Sequence, residues 1–301
     1  MMKRMFLFML VNIFVVVTIS IITSVLGINH YITAHGINYS SLLIFCFIWG
    51  FGGAFISLTI SRWMAKFSMG IKPIDPNSCT EQEKELYNRV AQLAQKAGIT
   101  SIPEVGIYES EELNAFATGP TRNSSLVAVS RGLLEKMSTQ EINGVLAHEI
   151  SHIANGDMVT MTLLQGVVNA FVMFFARIIA FGATQFVKED IRPMINMVVV
   201  IALEIVFSIL GMIVIAWFSR KREFRADEGG AALSGKTSMI SALMALKNAF
   251  EKPISESTSQ QTPASIAAFQ ISNKSSILSL FSTHPPLDTR IQALKDNRNV
   301  L

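Results

Sequence analysis

Cysteine and charge are what this chain has least of. Its 301 residues hold two cysteines, Cys46 and Cys79. One lies in an apolar run and the other in a polar segment, which excludes a disulfide framework and a cysteine-based metal site. Charged residues make up 16% of the chain, against roughly 25% in an ordinary globular domain. Hydrophobic residues make up 50%, and the mean hydropathy is +0.41. One aqueous core cannot cover that much apolar surface, so the composition points to a membrane protein in contact with lipid. The net charge of +3 comes without a basic low-complexity block or a nucleic-acid motif, so nucleic acid is not an expected partner. No internal repeat is present, and nothing sets the oligomeric state.

Long apolar runs, by contrast, are abundant. Those over residues 6–26, 42–60, 158–186 and 193–218 each approach or exceed the roughly 20 residues that cross a bilayer. Lys3 and Arg4 precede the first run, as in a secretory signal. Its apolar region is too long for one, and no small-residue cleavage site follows Leu26, so an uncleaved anchor is expected. Lys and Arg flank the spans on one side: Lys3, Arg4, Arg62, Lys66, Lys72, Arg220, Lys221, Arg222 and Arg225. The loop "GINHYITAHGINYS" has neither, and "VKEDIRP" balances its charges. The positive-inside rule then puts both termini and the two polar segments in the cytoplasm, with His30 and His35 as plain loop residues opposite.

The chain divides accordingly. Residues 1–60 hold two transmembrane helices and their loop, and 61–157 a cytoplasmic segment. Residues 158–218 hold the third and fourth transmembrane helices, and 219–301 a second cytoplasmic segment. Two charges fall inside the last two spans. Arg177 and Glu204 lie ten and eleven residues from the ends of the short connecting loop. At ~1.5 Å per residue this places both about 15–17 Å deep on neighbouring antiparallel helices, which predicts a buried ion pair, the alternative being that each faces a hydrated cavity.

In the first cytoplasmic segment, residues 80–98 read as an amphipathic helix. Thr80 and Glu83 make a capping box, Leu86, Val90, Leu93 and Ala97 an apolar stripe, and Gly98 a stop. Strand-like runs follow in "EVGIY", "NAFAT" and "SLVAVS", the last two separated by the turn-forming "GPTRNS". A second capping box, Ser138 with Glu141, opens a helix that ends near Asn155–Gly156. Residues 228–250 read as helix, with Met239, Leu243 and Leu246 on its packing face. Residues 251–276 are rich in Ser, Thr and Gln and read as a mobile loop, the first internal site of proteolysis.

The helix opened by Ser138 carries "HEISH". Positions four apart project from one side of a helix, so His148 and His152 can offer two imidazole nitrogens to one metal, with Glu149 beside them as base for an activated water. Zinc lowers the pKa of such a water toward ~7. A catalytic zinc takes three protein ligands, so a third must be found. The metzincin pattern fails, because Asn155 and Met158 stand where it needs glycine and histidine. An intramembrane site is excluded by the polarity of residues 138–147. "SRKREFRADEGG" supplies a candidate: Glu223 and Asp227 are again four apart on a helix beginning after the fourth span. Glu223 can ligate zinc while Asp227 accepts a hydrogen bond from a ligand histidine. The alternative for this run is a solvated charge cluster at the membrane surface.

Four blocks, "ELNAFATG", "GVLAHEISHIANGDM", "SRKREFRADEGGA" and "STHPPLDTRI", resemble the HtpX family of bacterial membrane-bound heat-shock zinc metalloproteases. More distantly they resemble the CAAX prenyl endopeptidases. The resemblance covers essentially the whole chain. It implies a multi-pass α-helical membrane protein with four transmembrane helices and a cytoplasmic α+β zincin-type metalloprotease domain. It also implies an ATP-independent endopeptidase of the inner membrane that hydrolyses misfolded membrane polypeptides in quality control. His148, His152 and Glu223 would hold one zinc per chain, Glu149 would be the base, and Asp227 would support a ligand. "NAFAT" resembles the zincin edge strand, where Ala115 and Phe116 would pair with substrate. Asn114 would sit near the cleft or, equally, form an Asx turn. By the same resemblance His284 and Arg290 lie near the zinc and stabilise the oxyanion. The competing reading for Arg290 is a local salt bridge to Asp288 that docks the C-terminal helix. At the level of function, the alternative is an idle zinc-binding membrane scaffold.

Overall fold

A computed structural model describes residues 2–27, 32–33, 36–251 and 278–296. His30, His35 and nearly all of the 251–276 stretch lie outside the described residues. The chain forms two compact units: Met1–Thr59 with Thr160–Ile215, and Ile60–Val159 with Ala216–Leu301.

The first unit is helical apart from a two-stranded ribbon, β1 (Ile32–Thr33) and β2 (Gly36–Ile37). Its helices come from α1 (Met2–Val25), α2 (Tyr39–Met69), α6 (Asp157–Thr184) and α7 (Arg192–Ser234). Among the described residues three helices are long and apolar enough to cross a membrane: α2, α6 and α7, with mean hydropathies of 2.1, 1.8 and 2.9. From α1 the described apolar stretch is the shorter Ile13–Val25. Phe171, Phe175, Met197, Ile201 and Ile205 are exposed, which a bilayer tolerates and water does not. Between helices the packing relies on small residues, as hydrocarbon supplies no hydrophobic drive. A Cβ at Gly50 of α2 would meet the Ala170 nitrogen of α6 at 2.7 Å and the Gly166 carbonyl at 2.8 Å. Arg177 and Glu204 meet as their depths predict, Nη1 to Oε1 at 2.6 Å. Arg177 also donates to the Met173 carbonyl at 3.1 Å and lies 5.5 Å from the Phe45 ring centroid.

In the second unit a four-stranded sheet has the order β3 (Lys72–Pro73), β4 (Glu104–Tyr108), β6 (Ser124–Ser130), β5 (Ala115–Thr121). β4 and β6 run parallel, and the outer pairings are antiparallel. Helix α3 (Glu81–Lys96) carries the capping box at Thr80 and buries Leu86, Val90, Leu93 and Ala94, with Ala97 at its C-cap half-buried against the same core. After α4 (Arg131–Lys136), helix α5 (Thr139–Asn155) starts at the Ser138–Glu141 capping box and stops at Gly156, φ 70°. Leu146, Ile150 and Ile153 of α5 are buried with Val90 of α3 and Val105, Val127 and Val129 of the sheet.

Three boundaries differ from the sequence reading. α7 runs unbroken for 43 residues, so Glu223 and Asp227 belong to the fourth apolar helix itself; nothing between Phe218 and Asp227 interrupts a helical backbone. The 228–250 helix is instead split at Gly235, φ 90°, into the end of α7 and α8 (Lys236–Glu251). The β5–β6 turn is tighter than "GPTRNS" because Gly119 and Pro120 stay in β5. An edge strand accommodates a proline that cannot donate, and a register shift between Thr118 and Thr121 absorbs the irregularity. Last comes α9 (Leu287–Lys295), which packs Leu287, Ile291 and Leu294 against Met239 and Leu243 of α8.

Candidate metal centre

Helix periodicity puts His148 and His152 on one side of α5, one turn apart. Their Nε2 atoms lie 3.1 Å from each other. Glu223 of α7 faces both, with Oε2 3.4 Å from His148 Nε2 and Oε1 3.4 Å from His152 Nε2. One ligand atom from each of the three falls within 4.8 Å of the others, and all three residues are buried.

The outer nitrogens explain why the inner ones converge. His148 Nδ1 lies 2.9 Å from Asp227 Oδ1, and His152 Nδ1 lies 2.6 Å from Asp157 Oδ2. Each carboxylate fixes its imidazole with the proton on Nδ1 and the lone pair on Nε2. An arginine holds each carboxylate in turn. Arg290 grips Asp227 with Nε at 2.7 Å and Nη2 at 2.6 Å, buried throughout. Arg225 Nη2 reaches Asp157 Oδ1 at 2.8 Å, with 46% of its side chain exposed.

Two neutral imidazoles and a carboxylate, all acceptors, thus point at one small volume. Such a set needs a cation or a proton between its members, and two nitrogens with one oxygen suit zinc. The titration behaviour reflects that demand. Burial pulls His148 down, but its hydrogen bonds to Asp227 and Glu223 reverse this and raise it to about 9. Burial pushes Glu223 up, yet the three histidines around it hold it far below the usual carboxylate range. Asp227 is likewise pushed up by burial and pulled down by Arg290.

Glu149 follows His148 directly and is half-buried, and among the described residues its carboxylate has no hydrogen-bond partner. β5 lies at the edge of the sheet and packs against α5. Ala115 and Phe116 pair with Val129 and Ala128, and among the described residues no strand neighbours the other side of β5. Asn114 enters β5 with its backbone closed on Ser130: its N–H donates to Ser130 Oγ at 3.1 Å, and its carbonyl accepts from Ser130 N at 2.9 Å. Among the described residues its side chain forms no Asx turn.

His284 Nδ1 sits 3.0 Å from Glu223 Oε2. Arg290 stands near the site too, Nη1 3.5 Å from Glu223 Oε2, with its fork committed to Asp227. The local Asp288–Arg290 bridge does not form, because α9 turns the two apart. Asp288 instead meets Lys247 of α8 at 2.5 Å.

Sequence reasoning missed Asp157 and Arg225. A signal existed for the first: every ligand histidine needs an Nδ1 partner, and Asp157 stands five residues beyond His152, just past the helix-ending Gly156.

The family model described as Peptidase family M48 matches residues 80–298. The Protease HtpX homolog of Bacillus subtilis is 51% identical over 300 residues, covering 97% of this chain and 99% of that protein. Protease HtpX of Shewanella oneidensis is 50% identical over 301 residues, covering 98% and 99%. Among solved structures, that of S. mikatae Ste24p superposes with a TM-score of 0.61 at 20% identity. That match takes in 98% of this chain, which spans 66% of the length of Ste24p, and is a likeness of fold.

Proposed function

This chain belongs to peptidase family M48, and from that premise we propose that it is a zinc-dependent endopeptidase acting on misfolded or damaged membrane polypeptides. In this reading it crosses the bacterial inner membrane four times, with α1 as the first span. The 61–157 and 219–301 segments and both termini are cytoplasmic, as the distribution of Lys and Arg favours. The observation that carries the reading is the convergence of His148 Nε2, His152 Nε2 and the Glu223 carboxylate, with both Nδ1 atoms already satisfied.

His148, His152 and Glu223 would hold the zinc, which when bound supplies Lewis-acid polarisation and lowers the pKa of water toward ~7. Glu149 takes a proton from the attacking water and passes it to the leaving amine. An extended substrate pairs with the open edge of β5 at Ala115 and Phe116, beside Asn114, which recognises backbone rather than side chains. His284 donates to the oxygen that becomes negative as the carbonyl is attacked. Arg290 contributes its positive charge from behind Asp227. Asp227 and Asp157 keep both imidazoles in one tautomer and orientation.

Glu149→Gln should keep fold and zinc while losing cleavage of an unfolded substrate by about 10²-fold or more. Residual activity within about tenfold of wild type would sink the base assignment. His148→Ala, His152→Ala and Glu223→Ala should each lose zinc together with activity. Wild-type protein that holds zinc and cuts nothing would favour the idle scaffold.

A further inference from the structure

We propose that Arg220 is a positioning residue, clamping the backbone of residues 280–282 so that His284 is held beside Glu223. Its consequence for catalysis rests on the peptidase reading above; the clamp itself rests on geometry.

Arg220 lies on α7 three residues before Glu223, so the two share a helix face. Its Nη1 donates to the Ser282 carbonyl at 2.7 Å and to the Leu280 carbonyl at 3.1 Å. Ser282 Oγ then donates to the His284 carbonyl at 2.7 Å. The same turn of α7 thus holds the segment twice, by its carbonyls through Arg220 and by the His284 imidazole through Glu223.

The segment is a four-residue 3₁₀ turn, Leu278–Phe281, followed by irregular chain up to α9. Leu280 is 42% exposed, Thr283 is exposed and Phe281 is half-buried, and the first fully buried residue after them is Pro285. Downstream the chain is fixed by the two prolines and by Arg290 on Asp227. Upstream it is fixed by Arg220, and His284 lies between the anchors. A clamp of carbonyls by a charged donor suits a planar guanidinium, whereas a lysine would keep the charge and lose the reach and the fixed fork.

The test uses the full chain in detergent and two readouts. In zinc-free protein, hydrogen exchange over residues 280–288 should quicken about tenfold in Arg220→Ala, as expected when hydrogen bonds to a charged group are lost. Arg220→Lys should be intermediate, and amides of α5 should not change. In zinc-loaded protein, Arg220→Ala should keep the metal and a KM within about twofold, while kcat falls about 10–100-fold, the cost of misplacing a reacting group. His284→Ala should fall similarly, and the double variant no further. Unchanged exchange in Arg220→Ala, losses that multiply in the double variant, or loss of zinc would each overturn the proposal. Should Arg220→Ala fail to fold, Arg220→Gln carries the same comparisons. If wild-type protein cleaves nothing, the peptidase reading fails and the exchange data alone decide the clamp.

Discussion

Two arginine–carboxylate pairs in this protein stand equally close and serve different ends. In the apolar unit Arg177 and Glu204 meet at 2.6 Å and neutralise each other between α6 and α7. In the sheet-containing unit Arg290 and Asp227 also meet at 2.6 Å, but Asp227 holds His148 as well, whose other nitrogen faces His152 and Glu223. The first pair's further contacts are the Met173 carbonyl and the Phe45 ring, and none of them leads to a histidine. The second is a link in a chain that ends on a candidate ligand atom, His148 Nε2. A self-contained pair can be replaced as a pair by apolar side chains, often without net loss. A linking pair cannot, because the third group loses its partner.

The largest effect is expected where the chain is longest. Arg290→Leu strands Asp227 in a buried site, which should lower stability by about 3–5 kcal/mol. It should also weaken zinc binding by about 10–100-fold through the loosened imidazole. Joint replacement of Asp227 and Arg290 by leucine should regain stability in chemical denaturation, yet leave zinc affinity depressed in a competition titration with a chelator. Wild-type affinity in that double variant would erase the distinction between the two pairs.

Next come the membrane charges. Arg177→Leu and Glu204→Leu should each lower stability by roughly 2.5–3.5 kcal/mol, the cost of an isolated charge in a spanning helix. The double variant should recover most of it, with zinc content and cleavage unaltered throughout. Strictly additive losses would show that the two do not act as a pair.

Arg225 sharpens the comparison at its smallest scale. It supports His152 through Asp157 as Arg290 supports His148 through Asp227, but 46% of its side chain is exposed. Water can replace an exposed donor, so Arg225→Ala should cost under about 1 kcal/mol. Asp157→Asn should still weaken zinc about 10–100-fold, because it acts on the imidazole directly. A loss from Arg225→Ala as large as that from Arg290→Leu would mean that burial is not what separates the two arginines.

The local features of the site were legible in the residues. Ser138 with Glu141 marks where α5 starts and Gly156 where it stops, so the faces of His148 and His152 follow from a 3.6-residue period. Glu223 and Asp227 share a face for the same reason, whether their helix begins after the fourth apolar run or, as α7 does, runs through it. The depth of Arg177 and Glu204 was countable, since two apolar helices joined by a short loop leave one register. Less was legible where a local rule had two outcomes. A single glycine at 235 can bend a helix or end it, and "GPTRNS" can be a turn or, as found, an irregular edge of β5 closed by a shorter one.

Sequence alone therefore determined which residues share a helix face, where the capped helices start and stop, and that at least three apolar runs form helices long enough to cross a membrane. All of these depend on covalent spacing and side-chain chemistry over a few residues. Tertiary structure alone decided the partners: Arg290 with Asp227 rather than Asp288, Arg225 with Asp157, Arg220 with the carbonyls of Leu280 and Ser282. These join residues 60 to 68 positions apart. Their meeting is set by how α8 packs on α5 and α9 on α8, which no local periodicity encodes.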